Sequence, residues 1–130
     1  MPEYIFRTKR AVADIVFAYR HVAGDGNKPL SYRDFAASLR EILIPQDKSL
    51  SHQTIKNWED RVHLPRAYYV TTLVLHAPND WRKDFAEDTL AALHPDDYKP
   101  STDIGRRALQ RSLMDTGPIK LRYDTSYINL

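Results

Sequence analysis

Four residues within a short span, His52, Gln53, Lys56 and Asn57, carry the side chains best suited to recognising another molecule. A carboxamide presents a donor and an acceptor side by side, which matches the N6 and N7 edge of adenine. An ammonium reaches guanine or a phosphate oxygen, and an imidazole can meet a base or the backbone. The chemistry these types imply is recognition of base edges and phosphates, with no bond made or broken. Their spacing supports it. On a helix, at about 100° per residue, Gln53 and Asn57 lie four apart on one face with His52 and Lys56 beside them, while Ile55 and Trp58 fall about 60° apart on the opposite side. Ser51 is placed to cap such a helix, and Pro65 lies beyond its end. The pattern predicts a helix over 52–61, held to a core by Ile55 and Trp58 and presenting its polar residues outward. Trp58 is assigned to the core rather than to stacking on a base. Solvated helix faces carry polar residues as a rule, and Asp60, on the outward face, would repel phosphate.

The flanking pattern gives these residues a context. Ser51, Thr54, Ile55, Trp58, Glu59 and Pro65 resemble the recognition helix of the phage-repressor/Cro-like (XRE-type) helix-turn-helix family. The stretch L-S-Y-R-D-F-A at 30–36 resembles the start of that family's preceding helix through Ser31, Phe35 and Ala36. The resemblance spans roughly residues 8–77 and is moderately specific. It implies sequence-specific binding of double-stranded DNA, in the setting of transcription regulation and as a homodimer. It places Ser51, His52, Gln53, Lys56 and Asn57 at the major groove, and Ser31, Tyr32 and Arg33 on the phosphate backbone. It also implies a structural ion pair between Glu59 and an arginine of an earlier helix, Arg20 or Arg10. The chain departs from the family in one respect. R-E-I-L-I-P-Q-D-K-S-L separates Leu39 from Ser51 without a glycine, a connection roughly seven to nine residues longer than a tight helix-turn-helix turn. Pro45 should stop the second helix near Leu43 or Ile44.

The elements that must hold these residues follow from periodicity. Val12, Ile15, Val16, Tyr19 and Val22 predict a first helix over 8–22, ended by G-D-G-N-K-P. Ser31 caps a second over 32–43, with Asp34 at the capping-box position. A fourth follows Pro65. Its Val70, Thr71, Thr72 and Val74 would also suit a strand, and the family pattern decides for helix. Asn79 or Asp80 caps a fifth over 81–93, and Ser101 or Thr102 a sixth to about 114. Ile119, Leu121 and Tyr123 alternate as in a strand. The expected fold class is mostly α: a helix-turn-helix domain of five to six helices in all, with 1–77 binding DNA and 78–130 forming a helical extension with a terminal strand. Trp81, Phe85, Leu90 and Leu93 make one apolar stripe, and Ile104, Ala108 and Leu109 begin another. These stripes either close the core of the protomer or, together with the strand, form a dimer interface.

Composition narrows the alternatives. At 130 residues, 42% apolar and 28% charged, the chain can bury one core. It has no cysteine, so disulfides and thiolate metal sites are excluded. His21, His52, His63, His76 and His94 show no zinc-helix spacing. No cofactor is implied, and the absence of a G-x-S-x-G or P-loop motif leaves an enzyme as the least supported class. No apolar run approaches membrane-spanning length, and no signal-peptide core is present, which makes a cytoplasmic, non-membrane protein the expectation. Net charge is only +2, but it is unevenly spread. Residues 1–66 carry eleven Lys/Arg against eight Asp/Glu, 67–98 two against six, and 99–130 six against three. The acids at 80–88 and 96–97 read as a solvated face turned away from DNA. The low net charge, Asp60 and the long connection favour the alternative, a protein-interaction module on a helix-turn-helix scaffold.

Overall fold

Six α-helices build the part of the chain described by the computed structural model, residues 3–43 and 50–114: α1 (Glu3–Val22), α2 (Tyr32–Leu43), α3 (His52–Glu59), α4 (Ala67–His76), α5 (Trp81–Leu93) and α6 (Asp103–Met114). The protein is mostly α, and no strand occurs among the described residues. The expected strand at 119–123 and the 44–49 connection lie outside them.

The long central helix is α1. It buries Ala11, Val12, Ile15, Val16 and Tyr19 at helical spacing and packs against α3, α5 and α6. It begins at Glu3, earlier than periodicity predicts. The reason is tertiary: Ile5 lies half-buried in a crevice with Leu64, Pro65 and Leu93, so a partner outside the helix rewards the extra turn. After α1 the chain reverses tightly. Asp25 and Lys28 exchange backbone hydrogen bonds of 3.1 and 3.0 Å. A Cβ on Gly24 would overlap the Lys28 carbonyl, so this reversal needs a residue without a side chain. The chain then returns to α1, where Leu30 N–H donates to the Arg20 carbonyl at 2.8 Å and Arg20 Nε donates to the Leu30 carbonyl at 2.9 Å. That clamp sets where α2 begins.

α4 is a helix despite its β-branched run, because Tyr69, Val70 and Leu73 are buried at helical spacing against α5 and α2. Packing outweighs the local preference.

The core is continuous across residue 77. Phe85 of α5 meets Tyr19 of α1 and Phe35 of α2 edge-on, with ring centroids 5.8 and 5.2 Å apart, and Trp81 lies 5.1 Å from Phe35. Ala86, Ala92 and Ala108 belong to the same cluster, with Trp81, Leu93, Ile104 and Leu109 packed against it. The apolar stripes of the C-terminal half therefore pack into the core of a single protomer. A stripe read from sequence says only that something covers it, and here α1 does.

Asp88 corrects a second expectation. It is not on a solvated acidic face but fully buried. Its carboxylate accepts from Tyr19 Oη at 2.6 Å, Thr102 Oγ1 at 2.6 Å, Ser101 N–H at 2.7 Å and Thr102 N–H at 3.1 Å. Four donors converge on an acceptor-only group and tie the start of α6 to α5 and α1. A Cβ at Gly105 would overlap this carboxylate, so α6 can approach only where it has no side chain. No helix among the described residues is long and apolar enough to cross a membrane.

Candidate nucleic-acid interface

α3 is positioned from beneath and from both ends. Its first turn is a capping box: Ser51 Oγ accepts from Thr54 N–H at 3.4 Å, and Thr54 Oγ1 accepts from Ser51 N–H at 3.5 Å. Thr54 occupies the position where Glu or Gln is usual. Leu50, with no exposed surface, anchors the chain just before the cap, and Arg40 Nη1 donates to the Leu50 carbonyl at 2.7 Å. Ile55 and Trp58 are buried as the sequence pattern requires, Trp58 beside Tyr69 of α4 at 6.5 Å between ring centroids.

Glu59 locks the far end. Arg20 Nη1 donates to Glu59 Oε1 at 2.8 Å and Tyr32 Oη donates to Glu59 Oε2 at 2.5 Å, while the Arg20 guanidinium lies 4.0 Å over the Tyr32 ring. Of the two arginines considered, Arg20 is the partner, and Arg10 pairs with Asp14 on its own helix. The network joins α1, α2 and α3 at one point. Burial raises the Tyr32 hydroxyl to about 12, helped by its hydrogen bond to Glu59 and by that carboxylate's charge.

α3 is shorter than predicted, ending at Glu59 instead of 61. Val62 N–H donates to the Asn57 carbonyl at 2.9 Å and Arg61 N–H to the Trp58 carbonyl at 3.3 Å, the two bonds of a Schellman motif. Arg61 sits at the left-handed position, φ 65°, where glycine is usual. The proline at 65 is too distant to locate that stop.

The structure gathers the sequence-predicted residues into two groups. On α3, His52, Gln53 and Lys56 are exposed and Asn57 is half-exposed. Gln53 Nε2 donates to Asn57 Oδ1 at 3.0 Å, and Lys56 Nζ pairs with Asp60 at 2.6 Å. Both are exposed i,i+4 contacts, each worth about 0.2–0.5 kcal/mol, so an incoming base or phosphate can displace them cheaply. At the start of α2, Ser31 caps the helix by accepting from Asp34 N–H at 3.0 Å, and Arg33 points to solvent. Tyr32 is half-buried, and its hydroxyl donates to Glu59, which ties the start of α2 to the end of α3.

The site list drawn from sequence omits Arg61, His63 and Arg66. All three are exposed on the connection that follows α3. The signal was present as three basic side chains in six positions, but only the fold shows that the connection turns back beside Asn57.

Comparison with known proteins finds no match: no protein-family model, no curated protein and no solved structure is similar to this chain. The helix-turn-helix resemblance therefore rests on the residues themselves.

Proposed function

We propose that the protein binds double-stranded DNA sequence-specifically and acts as a transcriptional regulator, with α3 entering the major groove. One observation carries this reading. α3 is a short helix fixed on its inner face by Ile55, Trp58 and the Glu59–Arg20–Tyr32 network, and its outer face presents Gln53, Asn57, Lys56 and His52. Gln53 and Asn57 read adenine edges, Lys56 and His52 reach guanine or phosphate, and Ser31 and Arg33 rest on the backbone. Arg61 adds a phosphate contact. The reading carries a cytoplasmic, non-enzymatic protein that meets its operator as a homodimer, since helix-turn-helix readers bind paired half-sites.

The test is selection of bound fragments from a random duplex pool at low salt. The expected result is a recurring motif, with affinity falling by orders of magnitude between about 50 and 200 mM salt. No retained duplex at low salt would give the place to the second reading, a protein-interaction module. Asp60 specifically favours that alternative, because it puts a negative charge on the outward face and neutralises Lys56.

A further inference from the structure

Beside the outer face of α3, a cleft of about 340 Å³ opens between the end of that helix, the 60–66 connection and the start of α4. Its floor is apolar, made by Trp58, Leu64 and Tyr69, and its rim is polar, made by Asn57, His63 and Arg66. Trp58 and Tyr69 are each 3% exposed and belong to the core, so they show only their edges and half-buried Leu64 supplies most of the apolar floor. The rim is accessible, with His63 and Arg66 exposed and the Arg66 guanidinium 6.0 Å over the Tyr69 ring. A guanidinium offers a planar fork of donors matched to a carboxylate. A concave site with an apolar floor and a few convergent polar groups is what small-molecule recognition requires, and this volume lies at the small end of that range.

We propose that this cleft binds a small organic carboxylate with an apolar body, the carboxylate on Arg66 and His63 and the body against Leu64 and the exposed edges of Trp58 and Tyr69. Asn57 links the cleft to the outer face. Its side-chain oxygen accepts from Gln53, and its backbone carbonyl accepts from Val62 and His63 N–H at 2.9 and 3.4 Å. A carboxylate on Arg66 and His63 can also accept from Asn57 Nδ2, which pins the amide that Gln53 holds by its oxygen, so occupation of the cleft alters what α3 can read. This last step rests on the DNA-binding reading, whereas the cleft itself does not.

The experiment is a nuclear magnetic resonance titration of the full chain with benzoate as probe, and with benzamide and inorganic phosphate as controls that lack the charge and the apolar body respectively. Benzoate should produce saturable shifts at Asn57, the Trp58 indole, His63 and Arg66. Benzamide and phosphate should bind at least about tenfold more weakly, a difference of about 1.4 kcal/mol. Arg66→Ala should weaken benzoate by a similar factor while the melting temperature stays close to that of the parent protein. The proposal is overturned by the absence of saturable shifts, by shifts located elsewhere, by equal binding of phosphate or benzamide, or by an Arg66→Ala variant that binds benzoate unchanged. On a selected DNA fragment, benzoate should change the affinity of the parent protein and not that of Arg66→Ala. Unaltered DNA affinity with benzoate bound overturns the coupling alone, and a failure to bind any DNA removes the coupling together with the function proposed for α3, leaving the titration to decide the cleft.

Discussion

Arg61 holds a backbone conformation that glycine adopts freely and other residues adopt at a cost, with φ at 65°. Replacing it tests whether the side chain matters more than the backbone. Arg61→Gly should raise stability by about 0.5–1 kcal/mol, the relief of left-handed strain less the added freedom of the unfolded chain. If the connection after α3 touches phosphates, the same variant should bind all duplexes more weakly and with a shallower salt dependence. A thermal melt that falls would remove the strain argument. Tyr32 carries a second prediction. Its hydroxyl is raised from 10.0 to about 12 in the folded protein, so the folded state holds that proton longer than the unfolded chain does. Stability from this group is fully present below pH 10 and is lost as pH rises toward 12. Tyr19 is displaced in the same direction, by burial first and then by its bond to Asp88. Denaturant melts of the parent protein should show stability falling above pH 10, and Tyr32→Phe should fall less steeply. Parallel slopes would show that Tyr32 does not titrate in this way.

Each helix is fixed by a small number of contacts, and two elements illustrate the point. α6 is secured at its start by Asp88, whose four hydrogen bonds come from α1 and from the residues leading into α6. Asp88→Ala leaves the Ser101 and Thr102 N–H groups without this acceptor, with Tyr19 Oη and Thr102 Oγ1 left to each other at 3.0 Å, and should cost about 3 kcal/mol. Hydrogen exchange should show α6 losing protection before α1–α4. A variant of parent-like stability would mean that water replaces the carboxylate. On the DNA-binding reading proposed for α3, the division of labour is measurable. Gln53→Ala or Asn57→Ala should cost about 1–3 kcal/mol on the preferred duplex and little on random DNA. Arg33→Ala should weaken every duplex alike. Equal losses on both kinds of DNA for the amide variants would contradict base reading. Trp58→Ala should instead destabilise the fold, by about 3–5 kcal/mol, since the ring is buried.

For the whole molecule, α5 and α6 are structural partners of α1. Phe85, Ala86, Ala92 and Ala108 share one core with Tyr19 and Phe35. A fragment of residues 1–77 should therefore fail to fold, because Ile15, Tyr19 and Phe35 lose their cover, and its circular dichroism should show no cooperative melt. A fragment that melts cooperatively would show that the first four helices suffice. The C-terminal stripes pack into the protomer's own core. Exposed Leu113 and Met114 are adjacent, and Leu113 lines an apolar crevice with Ala11, Ala92, Pro95 and Leu109. Sedimentation of the full chain with and without the selected duplex decides whether two copies assemble.

The sequence by itself determined the helix pattern. Apolar residues at helical spacing marked five of the six helices, with Ser31, Ser51 and Asp80 at helix starts, and those signals are local; α4, whose β-branched run would also suit a strand, was decided by the family pattern. It also determined which face of α3 is buried, because Ile55 and Trp58 allow one solution. The pairing of Glu59 with an early arginine came from family resemblance, and only the fold chose Arg20 over Arg10. Tertiary structure alone decided what lies far apart in the chain and close in space. Asp88 looked like one more surface acid until Tyr19 and Thr102 were brought to it. The stripes at 81–93 and 104–109 could not reveal whether their cover was α1 or a second copy. The connection carrying Arg61, His63 and Arg66 lies beside Asn57 only because the Schellman turn folds it there. Periodicity reports that a face must be covered or a charge accommodated, and the partner is set by the packing of helices that no local pattern encodes.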